Sequence, residues 1–506
     1  MSLSVLHTIV ELATWIMVRR GDLQFVPTMG ALHAGHGTLI QRASLVGPVL
    51  VSVFINPLQF GPNEDLRRYP RSLESDLKLA EEWGASALWA PAIEDIYPSG
   101  SDISPAAIQV PFSLQQHLCG ATRPGHFDGV ATVIARLLTI VRPSQLWLGE
   151  KDWQQLVILR WLVAHLALPV SVQSVATVRE NDGLALSSRN QYLSYDQRRL
   201  AVALPRALQS AYGLDPITSV ETKLSDAGLK VEYVQRVDPW TLQPCGHEKA
   251  ISLLAAAVCC GSTRLIDHVF LMTRQPLVAI DGPAGAGKST VTRAFAERLG
   301  LVYLDTGAMY RSVTWLIQQH GVDPSDGIAI EPFLTDLNIQ LKSFRDGEQQ
   351  VLVNGEDVSM AIRSPEVTAS VFIVSTHRCV RQALTAQQKS MGSKGGLVAE
   401  GRDTGTAVFP DADLKVFLTA TVAERARRRA LDLENRGFAV PERAKLKIQI
   451  SERDELDSNR KEAPLVQADD AIKLVTDGMS INTVVDTLIQ RFRERIAEEA
   501  WPTPQQ

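Results

Sequence analysis

Asp281-Gly282-Pro283-Ala284-Gly285-Ala286-Gly287-Lys288-Ser289-Thr290 follows the apolar run Pro276-Leu277-Val278-Ala279-Ile280, just past the middle of the chain. Gly282 to Ser289 satisfies G-x-x-x-x-G-K-[ST], a phosphate-binding loop in which a buried strand feeds a turn whose backbone N–H groups point at phosphate oxygens. The helix expected over 290–299 adds the positive end of its dipole. Gly282, Pro283, Ala284, Gly285, Ala286, Gly287 and Thr290 then form an ATP cradle, Lys288 reaches the β/γ-phosphates, and the Ser289 hydroxyl takes Mg²⁺. A glycine-rich loop matching by chance is the alternative, but strand, loop and helix follow in the required order. Domains of this kind open on such a strand, so the 275 residues ahead of Pro276 belong to something else.

The chain has 506 residues, which suits roughly two to four domains. Hydrophobic content of 45% and charged content of 21% are ordinary globular values, and a net charge of −5 gives no reason to expect nucleic acid as a partner. Cys119, Cys245, Cys259, Cys260 and Cys379 show no C-x-x-C spacing, so neither a zinc site nor a disulfide framework is expected. Cys259-Cys260 lies in an Ala/Val-rich run that reads as a buried strand. No signal-peptide pattern opens the chain and no apolar run is long enough to span a bilayer, so the expectation is a cytoplasmic protein with no membrane partner.

In the first half, the residues 23–28 read as a buried strand ending at Met29-Gly30. Ala31-Leu32-His33-Ala34-Gly35-His36 follows, with helical spacing after His36. Two imidazoles at a helix start can meet an anion, since histidine charge can track that of a phosphate near neutral pH. The alternative is two histidines that cap a helix. A second apolar strand over 49–54 points to a parallel sheet covered on both faces. Its end carries Asn56-Pro57-Leu58-Gln59, neutral amides where ligands bind in such sheets, or ordinary turn residues. Strands are further expected over 145–148 and 175–178. Between them, Gly149-Glu150-Lys151-Asp152 precedes a helix, with Asp152 and Gln155 spaced as a capping pair. Leu186-Ser187-Ser188-Arg189 offers two hydroxyls and a guanidinium to a phosphate.

Together these segments resemble pantothenate synthetase (pantoate–β-alanine ligase): PTMGALHAGH at 27–36, NPLQF at 56–60, FGPNEDLRRYPR at 60–71, GEKDWQQL at 149–156 and LSSRNQYL at 186–193. The resemblance spans about residues 1–269. It implies a Rossmann-like nucleotidyltransferase domain (about 1–186) and a smaller α/β domain (about 187–275). It also implies two-step chemistry, in which pantoate attacks the α-phosphate of ATP and β-alanine then displaces AMP. By position it places ATP against Met29, Gly30, Ala31, Leu32, His33, Ala34, Gly35, His36, Gly149, Glu150, Lys151, Asp152, Val178, Leu186, Ser187, Ser188 and Arg189. His36 is its proton donor, and Gln59, Gln155 and Asn56 hold pantoate and β-alanine. His33, His36, Lys151, Ser187, Ser188 and Arg189 would stabilise charge gathering on the α-phosphorus.

The second half, 276–506, resembles bacterial cytidylate kinase through LDTGAMYR at 304–311, NGEDV at 354–358, EGRDTGTAVFPDA at 400–412 and ERDELDSNR at 452–460. This implies a P-loop nucleoside monophosphate kinase with a parallel sheet and a lid. CMP would be held by Thr306, Arg311, Arg381, Arg402, Asp403, Arg453, Asp457 and Arg460, with Asp403 on the ribose. The arginine-rich helix opened by Thr421 and ended by Gly437 is either a solvated face or a phosphate-closing lid. Arg453, Asp457 and Arg460 share one helical face, which as a surface would be an ion-pair ladder. Phe372 stands where the family places a serine on cytosine, and Thr404 replaces a usually apolar residue. The two resemblances imply one polypeptide with two activities, small-molecule substrates, ATP and Mg²⁺ in both halves, and a dimer through the first half. The rival is a generic H-x-G-H nucleotidyltransferase fused to a non-catalytic nucleotide sensor.

Overall fold

The computed structural model describes residues 3–62, 64, 66–98, 107–211, 215–345, 348–435, 439–460 and 462–504. Asn63, Asp65 and the expected helix-ending Gly437 lie outside them. The chain forms two compact units. One comprises Met1–Thr273 with Ala497–Ala500, the other Arg274–Ile496 with Trp501–Gln506. The sequence-based boundary at 275/276 had assigned residues 497–500 to the second half.

The first unit opens with a six-stranded parallel sheet: β1 (Ser4–Leu6), β2 (Gln24–Thr28), β3 (Val49–Val53), β4 (Ala87–Trp89), β5 (Gln145–Gly149) and β6 (Ser171–Val175), in the order β1-β4-β3-β2-β5-β6. Its strands read as near-continuous apolar runs because helices cover both faces. The buried polar Gln24 is accommodated because its side-chain oxygen accepts from Trp147 Nε1 at 2.8 Å. Strand order reverses between β2 and β5, and a ligand crevice opens at the carboxyl ends of strands around such a point. There β2 leads into α1 (Ala34–Ser44), and β5 leads through a short turn into α3 (Trp153–His165), with α2 (His126–Val141) between them in sequence. The expected strand over 175–178 is instead β6, ending at Val175; residues 176–179 form the loop beyond it. A smaller antiparallel sheet, β7 (Lys230–Val237), β8 (Ile251–Cys260) and β9 (Thr263–Met272), packs Leu254, Ala256, Val258 and Cys260 against Leu204, Leu208 and Leu224. Cys259-Cys260 ends β8, and all five cysteines are free thiols.

The second unit is built on a five-stranded parallel sheet ordered β11-β15-β10-β16-β17. The strands are β10 (Leu277–Asp281), β11 (Val302–Asp305), β15 (Leu397–Gly401), β16 (Leu414–Thr419) and β17 (Ile472–Val475). β10 is central, so the phosphate loop leaves the middle of the sheet and enters α4 (Lys288–Leu299). Gly282 has φ +152, and a Cβ there would lie 2.0 Å from the Leu418 carbonyl oxygen, so only glycine fits. α5 (Thr306–Gln319), α6 (Pro365–Val374), α7 (Arg378–Gly392), α8 (Val422–Asn435), α9 (Arg443–Ser458) and α10 (Ile481–Arg495) complete its helices of eight or more residues. A separate antiparallel sheet consists of β12 (Ile339–Arg345), β13 (Glu348–Val353) and β14 (Glu356–Asp357). Asn354 and Gly355 at φ +52 and +91 make the tight hairpin turn between the last two.

Thr404 explains itself here. Its hydroxyl donates to Asp281 Oδ1 at 2.6 Å, and the N–H groups of Thr404 and Gly405 bind the same carboxylate at 2.9 and 2.7 Å. Burial raises the Asp281 pKa, and these donors oppose the rise. Thr404→Val keeps the shape and removes one donor from a buried carboxylate, a loss of about 1–3 kcal/mol. The second unit's calorimetric transition should drop by roughly 2–10 °C with the first unit's unmoved; an unchanged second transition contradicts this account.

Candidate active sites

In the first unit, the chain leaves β2 through Met29-Gly30-Ala31-Leu32. Buried Asp76 accepts the N–H groups of Ala31 (3.0 Å) and Leu32 (2.8 Å), which holds non-glycine Ala31 at φ +51. His33 is then the N-cap of α1, its Nδ1 accepting from Gly35 N at 3.1 Å, while His36 Nδ1 accepts from His33 N at 3.3 Å. The ring centroids are 4.1 Å apart. With Nδ1 accepting on each ring, the single proton of the neutral imidazole sits on Nε2. Burial, then Lys151, lowers the His33 pKa to about 4; burial, then His33 and Lys151, lowers that of His36 to about 3. Both rings are therefore neutral N–H donors near pH 7. Desolvation in the empty site thus moves the titration below the range in which a phosphate changes charge. The helix-capping reading holds as well, since the cap is what fixes the tautomer.

Lys151, Asp152, Gln155, Ser187 and Arg189 line one cavity together with Arg123 and His126, whereas Met29 and Gly30 line another beside Arg67, Arg71 and Asp76. His33 and His36 are in neither wall, although Lys151 couples electrostatically to both. Ser188 Oγ donates to Ala31 O at 3.2 Å, joining the 186–189 loop to the Met29–Leu32 turn, and Leu186 N donates to Val178 O at 2.9 Å. Ser187 caps its own turn by accepting from Arg189 N. Asp152 occupies the N-cap of α3 but makes no capping bond; it lies 3.9 Å from Lys151 instead, which corrects the capping-pair reading. Asn56 is not available to a substrate. Its Nδ2 donates to Gln59 Oε1 and Gly129 O, and its Oδ1 accepts from Tyr97 OH and Leu58 N, filling all four sites. Asn56 thus positions Gln59, whose Nε2 also contacts Met29 Sδ at 3.1 Å.

In the second unit, Lys288 Nζ donates to the carbonyls of Gly282 and Pro283 at 2.8 and 3.0 Å. Burial, then the charge of Arg402, lowers its pKa to about 7. Ser289 Oγ donates to Glu400 Oε1 at 2.8 Å, and Tyr303 OH to Glu400 Oε2 at 2.5 Å. Thr306 Oγ1 donates to the Glu400 carbonyl at 2.7 Å, and Arg311 pairs with Asp305 at 3.0 Å. Arg381 pairs with Asp403 and stacks 5.6 Å over the Tyr310 ring. Arg402 meets Asp457 at 2.6 Å, and Arg460 lies 3.9 Å from the same carboxylate. Burial, then the charge of Arg402, lowers the Arg453 pKa; Asp457 opposes the fall, and Arg429 and Arg311 add smaller effects to it. The 453–460 face therefore converges on Arg402 and is not a surface ladder. The α8 arginines divide: Arg425 and Arg428 donate to the phosphate-loop carbonyls of Ala284 and Ala286 at 3.2 and 2.9 Å, while Arg427 and Arg429 face solvent.

Comparison with known proteins matches the two units separately and together. The family description "Pantoate-beta-alanine ligase" matches residues 4–270 and "Cytidylate kinase" residues 278–494. A bifunctional pantoate ligase/cytidylate kinase of Synechococcus sp. (strain CC9902) is 78% identical over 95% of this chain and 100% of its own length. One of Parasynechococcus marenigrum (strain WH8102) is 70% identical over 99% and 100%. The chain belongs to the bifunctional pantoate ligase/cytidylate kinase family. Pantothenate synthetase from Thermus thermophilus superposes on it with a TM-score of 0.50 at 42% identity, covering 53% of this chain and 99% of that one. Family membership favours the two-enzyme reading over the nucleotidyltransferase–sensor rival. Phe372, on which the rival rested, is 53% exposed near the end of α6.

Four residues that shape the ligase and kinase sites are not evident in the sequence patterns. Asp76 looks like any acid of an amphipathic helix. Glu400 precedes the G-R-D run without a spacing of its own. Arg123 and His126 lie in a loop whose polarity alone was legible: Arg123 donates to His126 Nε2 at 2.8 Å, so His126 donates through Nδ1 to Gln59 O, also at 2.8 Å. The depressed histidines carry a pH signature. In the unfolded chain each titrates at the ordinary 6.5, but in the fold at about 4 and about 3. From pH 6.5 down to 4 the unfolded chain binds protons that the folded unit refuses, so the first unit loses stability as pH falls. The double variant His33→Asn/His36→Asn keeps acceptors near both Nδ1 positions and should flatten this slope in thermal melts from about pH 7.5 to about 4.5; an unaltered slope contradicts the assignment.

Proposed function

We propose that the first unit condenses pantoate with β-alanine through pantoyl adenylate, and that the second phosphorylates CMP and dCMP, each with its own ATP. The feature that carries the ligase reading is the pair of imidazoles at the start of α1, each with Nδ1 accepting a backbone N–H and both coupled electrostatically to Lys151. A pantoate carboxylate attacking the α-phosphorus builds charge on its equatorial oxygens. Two neutral donors and Lys151, joined by Ser187, Ser188 and Arg189, would stabilise that charge. Gln59, oriented by Asn56, and Gln155 would hold the hydroxyls and carboxylate of pantoate; pyrophosphate leaves, and the β-alanine amine then displaces AMP.

For the kinase, the carrying feature is the convergence of Arg311, Arg402, Arg453 and Arg460 beside the phosphate-loop strand. Such a cluster matches the phosphate of CMP, and phosphoryl transfer is catalysed by positioning and cationic clamps. Asp403 with Arg381 would face ribose and base. The Ser289 hydroxyl and Glu400 carboxylate, 2.8 Å apart, are hard oxygen donors suited to the Mg²⁺ that accompanies ATP. When bound, the ion neutralises phosphate charge. Lys288 releases its two carbonyls and meets the phosphates. Five free thiols suit a reducing cytosol.

AMP release should require both pantoate and β-alanine; release that is indifferent to β-alanine contradicts the ligase reading. Lys288→Ala should lower CMP phosphorylation by about 10²–10³-fold and leave ligation untouched, and a parallel fall in both would exclude separate sites. With a resting pKa of about 7, Lys288 is roughly nine-tenths neutral at pH 8. Nucleotide in the phosphate loop should therefore draw in close to one proton at that pH, read by calorimetry in buffers of differing ionisation enthalpy. Lys288→Ala should abolish the uptake.

A further inference from the structure

Residues 497–500 follow the last helix of the second unit, yet they are part of the first unit. Their contacts fall on the loops that follow β5 and β6, on β9, and on α1, where Arg42 donates to Glu498 Oε2 at 2.6 Å. Glu150, fully buried in the first of these loops, accepts the backbone N–H groups of Glu498 and Glu499 at 2.8 and 2.9 Å and the Ser174 hydroxyl at 2.9 Å. Burial raises the Glu150 pKa, and the two N–H groups are the strongest opposing influence. In the second loop, Glu499 Oε1 accepts from Thr177 N at 2.8 Å and from the Thr177 hydroxyl, while Glu498 Oε2 accepts from Ala176 N at 3.3 Å. Glu499 Oε2 lies 3.5 Å from His268 Nε2 and 3.9 Å from Arg179, which itself clamps Asp267 at 2.7 Å.

We propose that Ala497-Glu498-Glu499-Ala500 is a positioning element of the ligase, fixing from behind the two loops that carry Lys151 and Val178 to ATP. The proposal rests on the ATP-pocket assignment made above. Two adjacent peptide N–H groups close a buried carboxylate on one side, and the carboxylate of the second residue collects the N–H and hydroxyl of Thr177 on the other. The pair therefore sets the distance between the Lys151 turn and the backbone next to Val178. Neither glutamate needs to touch substrate, so both act through the loops they hold.

The test uses the full chain and initial rates of both reactions. Glu499→Ala removes the acceptor shared by two Thr177 donors and should raise the ligase KM for ATP about three- to tenfold. The ligase KM for β-alanine and all CMP kinase constants should stay as they are. Glu499→Gln keeps an acceptor for Thr177 and should restore most of the ATP KM; if Glu499→Ala does not fold, this variant carries the test with a smaller rise. An ATP KM equal to wild type in the folded variants overturns the proposal. So does a loss confined to the first unit's melting temperature, or an equal fall in both activities. Lys151→Ala is the control on the pocket itself. If it leaves ligation intact, the pocket assignment fails and takes the proposal with it; if it impairs ligation while Glu499→Ala does not change the ATP KM, the proposal alone fails.

Discussion

A carboxylate withdrawn from water must be met by donors, because leaving it bare costs several kcal/mol. Four such groups set the loops at the strand ends of both units. Asp76 fixes the turn after β2, Glu150 the turn after β5, Asp281 the G-R-D-T run and Glu400 the first residues of α4. Each is less than a tenth exposed. Each receives backbone N–H or hydroxyl groups from a segment distant in sequence, so each converts a flexible loop into a surface of defined shape. The sheets only bring strand ends together; the buried acids decide what the chain does beyond them.

The same withdrawal from water governs the bases. His33, His36 and Lys288, proposed above to meet phosphate, all have pKa values pushed down by burial first and by neighbouring basic groups second. Lys151 acts on both histidines, and Arg402 acts on Lys288. The unliganded sites thus hold less positive charge than a count of side chains suggests. Held carbonyls at Lys288 and backbone N–H donors at the imidazoles keep these groups ordered in that state. The imidazole geometry is set before nucleotide arrives, whereas Lys288 would exchange its two carbonyls for phosphate oxygens.

The fold class was legible because both halves begin with the same local grammar. An apolar strand runs into a glycine turn and then a helix, and a near-continuous apolar run gives way to a period of about 3.6 at the turn. Residue types that perform chemistry were legible for the same reason, since H-x-G-H, G-K-S and S-S-R each act over a few consecutive positions. What could not be read is pairing across long separations. Nothing near Asn56 announces that Tyr97 and Gly129 will use up its amide, and nothing near Glu150 announces donors almost 350 residues away. Boundaries drifted for a related reason. Residues 176–178 are apolar enough for a strand, but β6 has no partner beyond Val175, whose neighbour Gly149 already ends β5. Domain membership followed contacts as well, which is why residues 497–500 escaped a reading made in chain order.

The two nucleotide sites answer one electrostatic problem in opposite ways, and the difference follows from which phosphorus reacts. Attack on a γ-phosphorus moves charge towards the bridging oxygen and the outer phosphates. In the proposed kinase site, a lysine on a glycine turn and arginines from other segments would follow that movement. Attack on the α-phosphorus by a carboxylate brings two anions together, and the proposed ligase site would meet that charge with mixed donors. Beside the cationic Lys151 stand two imidazoles that burial holds neutral in the empty site, with pKa values of about 4 and about 3. Capping the helix with a histidine, where serine or aspartate is the usual choice, follows from the same need. The cap fills Nδ1, and a filled Nδ1 leaves the proton on Nε2.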